Sequence, residues 1–204
     1  SYVTERLINW DDPLNDPMFV LTFPQKGMLI DSHYERGASV LKQEVTAEEK
    51  KRVINDIRME LNPHPAGQLQ LNVPTYDDVL LSGVQHKYRE TVLFFPQQGQ
   101  TCHAYCSFCF RWPQFTGMSE LKFASREAEL LAEYVAVNKE ITDVLFTGGD
   151  PMIMRTAVME KYIRPLLDKK ISNLQHIRIG TKSLGFWPMR FIQDEDAAPL
   201  LELF

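Results

Sequence analysis

Beyond residue 90 the chain alternates short apolar runs with amphipathic stretches. Val92-Leu93-Phe94-Phe95, closed by Pro96, has the composition of a buried strand. Ser125 opens a helical stretch with Leu130, Leu131, Tyr134 and Val135 on one side. Ile141 to Thr147 reads as a second strand, closed by Gly148-Gly149. Residues 157–170 read as a helix that Pro165 kinks or divides. Gln175 to Gly180 reads as a third strand. Strand, helix, strand, helix, strand predicts an α/β fold, a parallel sheet covered by helices. Ligands of such folds sit beyond the carboxyl ends of the strands. Two unusual loops, one rich in cysteine and one in glycine, leave such ends.

The pattern before this differs. Residues 1–85 read as a helical, loop-rich N-terminal region, set apart from the alternating part at 86–204. Thr46 with Glu49 is a capping-box signature. The helix it starts puts Val53, Ile54, Ile57 and Leu61 on one face, and Asn62-Pro63-His64-Pro65 ends it. Residues 63–85 read as irregular.

A chain of 204 residues, 44% of them hydrophobic, can bury a core as one domain, or as one domain with an appendage. A net charge of −5 is a poor match to a phosphate backbone, so nucleic acid is not an expected partner. No stretch approaches the length of a membrane-spanning helix. Ser1 to Trp10 lacks the basic and apolar regions of a signal peptide, so a reducing cytoplasm is the expected compartment.

All three cysteines lie between positions 102 and 109, as Cys102-His103-Ala104-Tyr105-Cys106-Ser107-Phe108-Cys109. A disulfide scaffold would spread them along the chain. Three thiolates at this C-x3-C-x2-C spacing can hold three corners of a cubic 4Fe-4S cluster, leaving the fourth iron open to another ligand. Two other readings stand beside it. One is structural zinc, which needs a fourth ligand; His103 is available, but its place next to Cys102 makes closure awkward. The other is ordinary buried cysteines.

Leu145-Phe146-Thr147-Gly148-Gly149-Asp150-Pro151 ends the second strand. Alone, Gly-Gly-Asp-Pro marks a tight turn. At a strand end it gains meaning: glycines let backbone approach a ligand, and Asp150 can accept a hydrogen bond from an ammonium group.

The cysteine loop resembles that of the radical S-adenosylmethionine (SAM) superfamily, and the glycine loop resembles its GGE element with Asp for Glu. Adding His86-Lys87-Tyr88, Val92-Leu93-Phe94 and Ile177-Arg178-Ile179-Gly180-Thr181-Lys182, the chain resembles the lysine 2,3-aminomutase family over roughly residues 60–192. The resemblance implies a partial (β/α) barrel of the radical SAM type at 86–204, a half-barrel of three strands. It implies a 4Fe-4S cluster on Cys102, Cys106 and Cys109, and SAM held by Phe108, Gly148, Gly149 and Asp150. Pyridoxal 5′-phosphate usually accompanies them; Lys87 and Tyr88 match positions near it. Arg111 matches an arginine that pairs with a substrate carboxylate; a surface ion pair or neutralisation of the cluster's charge is its alternative. The implied reaction is reductive cleavage of SAM to a 5′-deoxyadenosyl radical, for 1,2-amino migration on an amino acid. The implied partners are an amino-acid-like small molecule and an electron donor such as flavodoxin or ferredoxin. Self-association as a homo-oligomer is also expected, and a membrane is not.

Several positions depart from the pattern. Lys87 and Thr91 replace two arginines expected at the pyridoxal phosphate, and the loop from Phe95 to Thr101 is about two residues longer than usual. The chain ends at Phe204, so the later barrel strands and the Schiff-base lysine are expected outside it; Lys182 does not match that lysine. Two further readings follow. One is an enzyme of this branch working without pyridoxal phosphate; the other is a truncated, non-catalytic metal- or partner-binding module. His33, His64, His86 and His176 read as structural or surface residues, and Asp194-Glu195-Asp196 as a solvated loop.

Overall fold

The computed structural model describes residues 2–61, 67, 69–104, 106, 108–115 and 117–204. Its first helices are α1 (Pro17–Thr22), α2 (Asp31–Lys42) and α3 (Ala47–Leu61). Asp16 caps α1, accepting from the Phe19 N–H at 2.8 Å, with Pro17 at the first helical position. Thr46 caps α3 through the Glu49 N–H at 3.1 Å. Glu60 of α3 takes His33 and Arg36 of α2, at 2.9 and 2.7 Å, and so ties the two helices together. On the predicted face of α3, Ile57 is buried, Val53 and Ile54 are partly so, and Leu61 is exposed. The proline run after Leu61, with His64, lies outside the described residues.

The stretch read as irregular holds three short strands. β1 (Thr75–Tyr76) and β2 (Val79–Leu80) form a hairpin, and β3 (Val84–Gln85) pairs antiparallel with β4 (Thr91–Phe94). Strands of two residues are too short to show a period of two, which is why the sequence hid them.

The predicted alternation then holds. After β4 come α4 (Ala128–Val137), β5 (Asp143–Phe146), α5 (Thr156–Asp168), β6 (His176–Ile179), the short α6 (Ser183–Phe186) and α7 (Ala197–Leu203). β4, β5 and β6 are parallel, in the sheet order β3-β4-β5-β6, so the fold is α/β. Pro165 sits inside α5, which continues past it as one helix. The sheet has two unlike faces. Val92, Phe94, Val144 and Phe146 are fully buried against Leu131 and Val135 of α4 and Met159, Ile163 and Leu166 of α5. The other face carries Thr91, Leu93, Leu145, His176 and Arg178, half-buried or exposed, around a buried Asp143. Asp143 accepts from Thr91 Oγ1 at 2.9 Å and from Arg178 Nε at 2.8 Å. Among the described residues no helix is long and apolar enough to cross a membrane.

Arg190 is the largest fully buried side chain. It donates to the carbonyls of Met152 and Met154, at 2.9 and 3.0 Å, and to Asp196 Oδ1 at 2.7 Å. Asp196 also accepts from the Thr156 N–H at 2.6 Å, which caps α5 from a distance. The Asp194–Asp196 run is therefore not merely solvated. Its last carboxylate anchors the segment that follows Asp150 to the start of α7.

The Thr156 N–H, with Thr156 Oγ1 and Arg190, holds the Asp196 carboxyl down to about 2. This bond set is fully present above the ordinary value of 3.8 and is lost as pH falls through 2. Asp196→Ala is expected to lower stability by about 3 kcal/mol, because it leaves a buried guanidinium short of its partner. Arg190→Met with Asp196→Ala is expected to cost less than Asp196→Ala alone. Urea midpoints at pH 7 measure both; a double variant weaker than the single one refutes the account.

Candidate cofactor cleft

β4 and β5 both end in loops that turn toward each other. The Asp150 N–H donates to the Thr101 carbonyl at 2.8 Å, joining the glycine loop to the chain entering the cysteines. This contact is why Gly149 is glycine: a Cβ there would lie 2.1 Å from the Thr101 oxygen. Gly148 has φ of +129°, and a Cβ on it would lie 2.1 Å from the Gln100 amide. The two glycines thus serve loop-to-loop packing. Gly149 also lines the cleft described next, and Gly148 is not among its lining residues.

Cys102, Cys106 and Cys109 line one cleft of about 590 Å³ at the carboxyl end of the sheet. Gly149, Asp150, Thr181 and Lys182 share it with Phe108, Phe110, Arg111, Trp112 and Phe115, and Met28, Leu29 and Leu61 of the N-terminal region reach it too. Burial pushes the Cys102 thiol up to about 11, with Asp150 and the other two thiols adding to the rise. Burial also raises Cys106, against the opposing pull of Lys182. Buried thiols of this kind take up metal with release of protons. Among the described residues no three His, Cys, Asp or Glu side chains close on a single-ion position. Cubic clusters spread their thiolates over separate irons, so three thiols facing one cleft fit such a group.

Asp150 is 1% exposed and is the best-connected side chain of the cleft. Its carboxylate accepts from the Met152 N–H at 2.9 Å, the Thr181 hydroxyl at 2.7 Å and the Lys182 N–H at 2.7 Å. His103 Nε2 stands 3.2 Å from it and 2.9 Å from Ser183 Oγ. Burial alone would raise this carboxyl; the hydrogen bonds from His103, Thr181, Lys182 and Met152 outweigh it and hold the group below its ordinary value. His103 therefore points at Asp150 and Ser183. Neither this junction nor the place of Lys182 in the cleft was readable from the sequence. Lys182 Nζ lies 5.4 Å from the centre of the exposed Phe108 ring.

Arg111 is sandwiched between aromatic rings, its guanidinium carbon 4.5 Å from the centre of Phe95 and 5.0 Å from that of Phe110. Its Nη1 is buried with no hydrogen-bond partner among the described residues, and burial lowers its affinity for its proton. A half-buried guanidinium with a buried nitrogen lacking a partner, beside a cleft, has the chemistry of an anion site.

Lys87 and Tyr88 are not brought to the cleft. Both precede β4, at the amino end of the strand; both are exposed, with Lys87 Nζ 5.8 Å from the centre of the Tyr88 ring. Arg89 pairs with Glu140, and Thr91 bonds Asp143. Among the described residues these form no phosphate cradle, so the residues expected to hold pyridoxal phosphate do not fit it.

No family model matches the chain. A protein of Aquifex aeolicus (strain VF5), provisionally named for L-lysine 2,3-aminomutase activity, is 36% identical over 122 residues, which are 60% of this chain and 31% of that protein. The L-lysine 2,3-aminomutase of Haemophilus influenzae is 33% identical over 119 residues, 58% of this chain and 33% of that protein. The L-lysine 2,3-aminomutase of Bacillus subtilis (strain 168) is 29% identical over 114 residues, 56% of this chain and 23% of that protein. The chain thus spans a third or less of the length of these curated relatives. Over these matched segments the chain is similar to L-lysine 2,3-aminomutases.

Proposed function

We propose that this chain carries the cluster- and SAM-binding part of a radical SAM enzyme, and that its β4, β5 and β6 are part of a (β/α) barrel. The observation that supports the reading most is one cleft lined by Cys102, Cys106 and Cys109 and, with them, Gly149 and Asp150. A cluster and SAM bound there supply a 5′-deoxyadenosyl radical, made by one-electron cleavage of the sulfonium carbon–sulfur bond.

The chain's own residues bind, orient and shield. The three thiolates hold the iron. Asp150 accepts the amino group of SAM, and Phe108 with Lys182 walls the cleft on the side of Cys106. Arg111 pairs with the carboxylate of an amino-acid-like substrate, which supplies the partner its guanidinium lacks. Phe110, Trp112 and Phe115 keep water from the reacting atoms. The reaction class proposed is 1,2-amino migration on an amino acid, with electrons from a flavodoxin- or ferredoxin-like donor in the cytoplasm. The chemistry of a substrate handled without pyridoxal phosphate is the second reading, favoured by Thr91 being committed to Asp143 and Arg89 to Glu140.

Anaerobic reconstitution with iron and sulfide is expected to load about four irons per chain. Cys106→Ala is expected to lose them, and SAM to change the electron paramagnetic resonance spectrum of the reduced protein. Zinc uptake in place of iron, or soluble folded protein that takes no metal, refutes the reading. Arg111→Met tests the anion site separately. It keeps an apolar side chain between Phe95 and Phe110 and removes a half-buried charge whose Nη1 has no partner among the described residues, so the urea midpoint is expected to rise by the equivalent of about 1 kcal/mol. A fall in midpoint would mean that the guanidinium is satisfied within the chain and is not waiting for a carboxylate.

A further inference from the structure

A carboxylate has about four acceptor positions, and those of Asp150 are filled from within the chain. Oδ1 accepts from Thr181 Oγ1 and the Met152 N–H; Oδ2 accepts from the Lys182 N–H and faces His103 Nε2. A ligand ammonium at Asp150, the proposed reading on which this inference rests, therefore needs a vacancy. Two of the four donors are backbone groups fixed by their turns, and the Thr181 hydroxyl is itself held, accepting from the Ser183 N–H at 2.9 Å. The His103 contact is the longest of the set, at 3.2 Å.

That nitrogen also has somewhere else to go. Its second partner, Ser183 Oγ, is closer, at 2.9 Å. One ring N–H serves only one acceptor well, and an ionised carboxylate brings no proton, so the hydrogen is assigned to Nε2 and shared between Asp150 and Ser183. The His103 side chain is 19% exposed and that of Asp150 is 1% exposed. The ring packs edge-on to Trp187, with centroids 5.7 Å apart, so a small turn toward Ser183 keeps its support.

We propose that His103 is a placeholder that sets affinity at Asp150: its Nε2 occupies the acceptor position taken by the amino group of SAM, and on binding it yields by turning to Ser183. The ring N–H and an ammonium both donate to an ionised carboxylate, but the ammonium also brings an opposite full charge. His103 is a positioning residue, and its cost is a weaker ligand than an empty Asp150 would hold.

The test is calorimetric titration of the iron-loaded chain with SAM and, separately, with 5′-methylthioadenosine, which keeps the adenine, ribose and sulfur but has no amino group. His103→Phe keeps a ring against Trp187 and deletes the N–H. It is expected to bind SAM about three- to tenfold more tightly, with methylthioadenosine unchanged. The spectrum of the reduced protein is expected to shift at correspondingly lower SAM. His103→Gln, which restores an N–H, is expected to return to the native affinity. Ser183→Ala works in the opposite direction: it removes the ring's alternative partner, so SAM binds more weakly and methylthioadenosine as before. It also keeps the proposal testable if His103→Phe fails to hold iron. SAM affinity unchanged or lowered in iron-loaded His103→Phe overturns the proposal, as does an equal change for both ligands. Iron-loaded native chain that does not bind SAM overturns the function proposed above and this inference with it, whereas failure confined to the variants overturns this inference alone.

Discussion

Burying a carboxylate obliges the surrounding chain to bring it donors, and Asp150 is the point where this obligation organises the molecule. Its partners come from three places: its own turn at Met152, the cysteine loop at His103, and the segment after β6 at Thr181 and Lys182. Those are the loops leaving β5, β4 and β6. A parallel sheet brings strand ends to one side but does not fix the loops that leave them. Here one ionised group holds all three in register, and the cleft lies among them. Behind it, Arg190 fastens the carbonyls of Met152 and Met154, so the turn that carries Asp150 is held from both directions.

The local chemistry was legible in the sequence where signal and cause are close together. Val92–Phe95 and much of Ile141–Thr147 stood out as apolar runs, and Gln175–Gly180 as an alternation of Ile177 and Ile179 with polar residues; all three hold strands of one sheet. The Thr46 cap was legible because donor and acceptor are three residues apart. The cysteines were legible by spacing alone. What escaped was long-range pairing. His103 meets Asp150 across 47 residues and Ser183 across 80, and nothing near any of them announces the match. Asp196 looked like part of a charged surface loop, because its partners Thr156 and Arg190 come together only once α5 and α7 have docked.

The glycines show a subtler limit. Gly148 and Gly149 invited the reading that backbone there must approach a ligand. Within the chain the closest approach is to Gln100 and Thr101, so the absence of side chains serves the contact between two loops, and Gly149 also lines the cleft. The long stretch before the cysteines explains the first of these contacts. Its exposed Gln98 meets the Tyr162 hydroxyl, and the amide of the half-buried Gln100 donates to the Pro96 carbonyl at 2.9 Å beside Gly148.

If iron is held as proposed, the Thr101–Asp150 bond bears on how it would be acquired. In small zinc domains the metal itself draws distant ligands together, and its binding energy is spent on folding. Here the entrance to the cysteine loop is clamped to the glycine loop by a backbone bond and by a glycine with no clearance to spare. On the proposed reading, iron taken up at Cys102, Cys106 and Cys109 would have only a short local segment to arrange, and assembly and loss of a cluster would be local events on a standing scaffold.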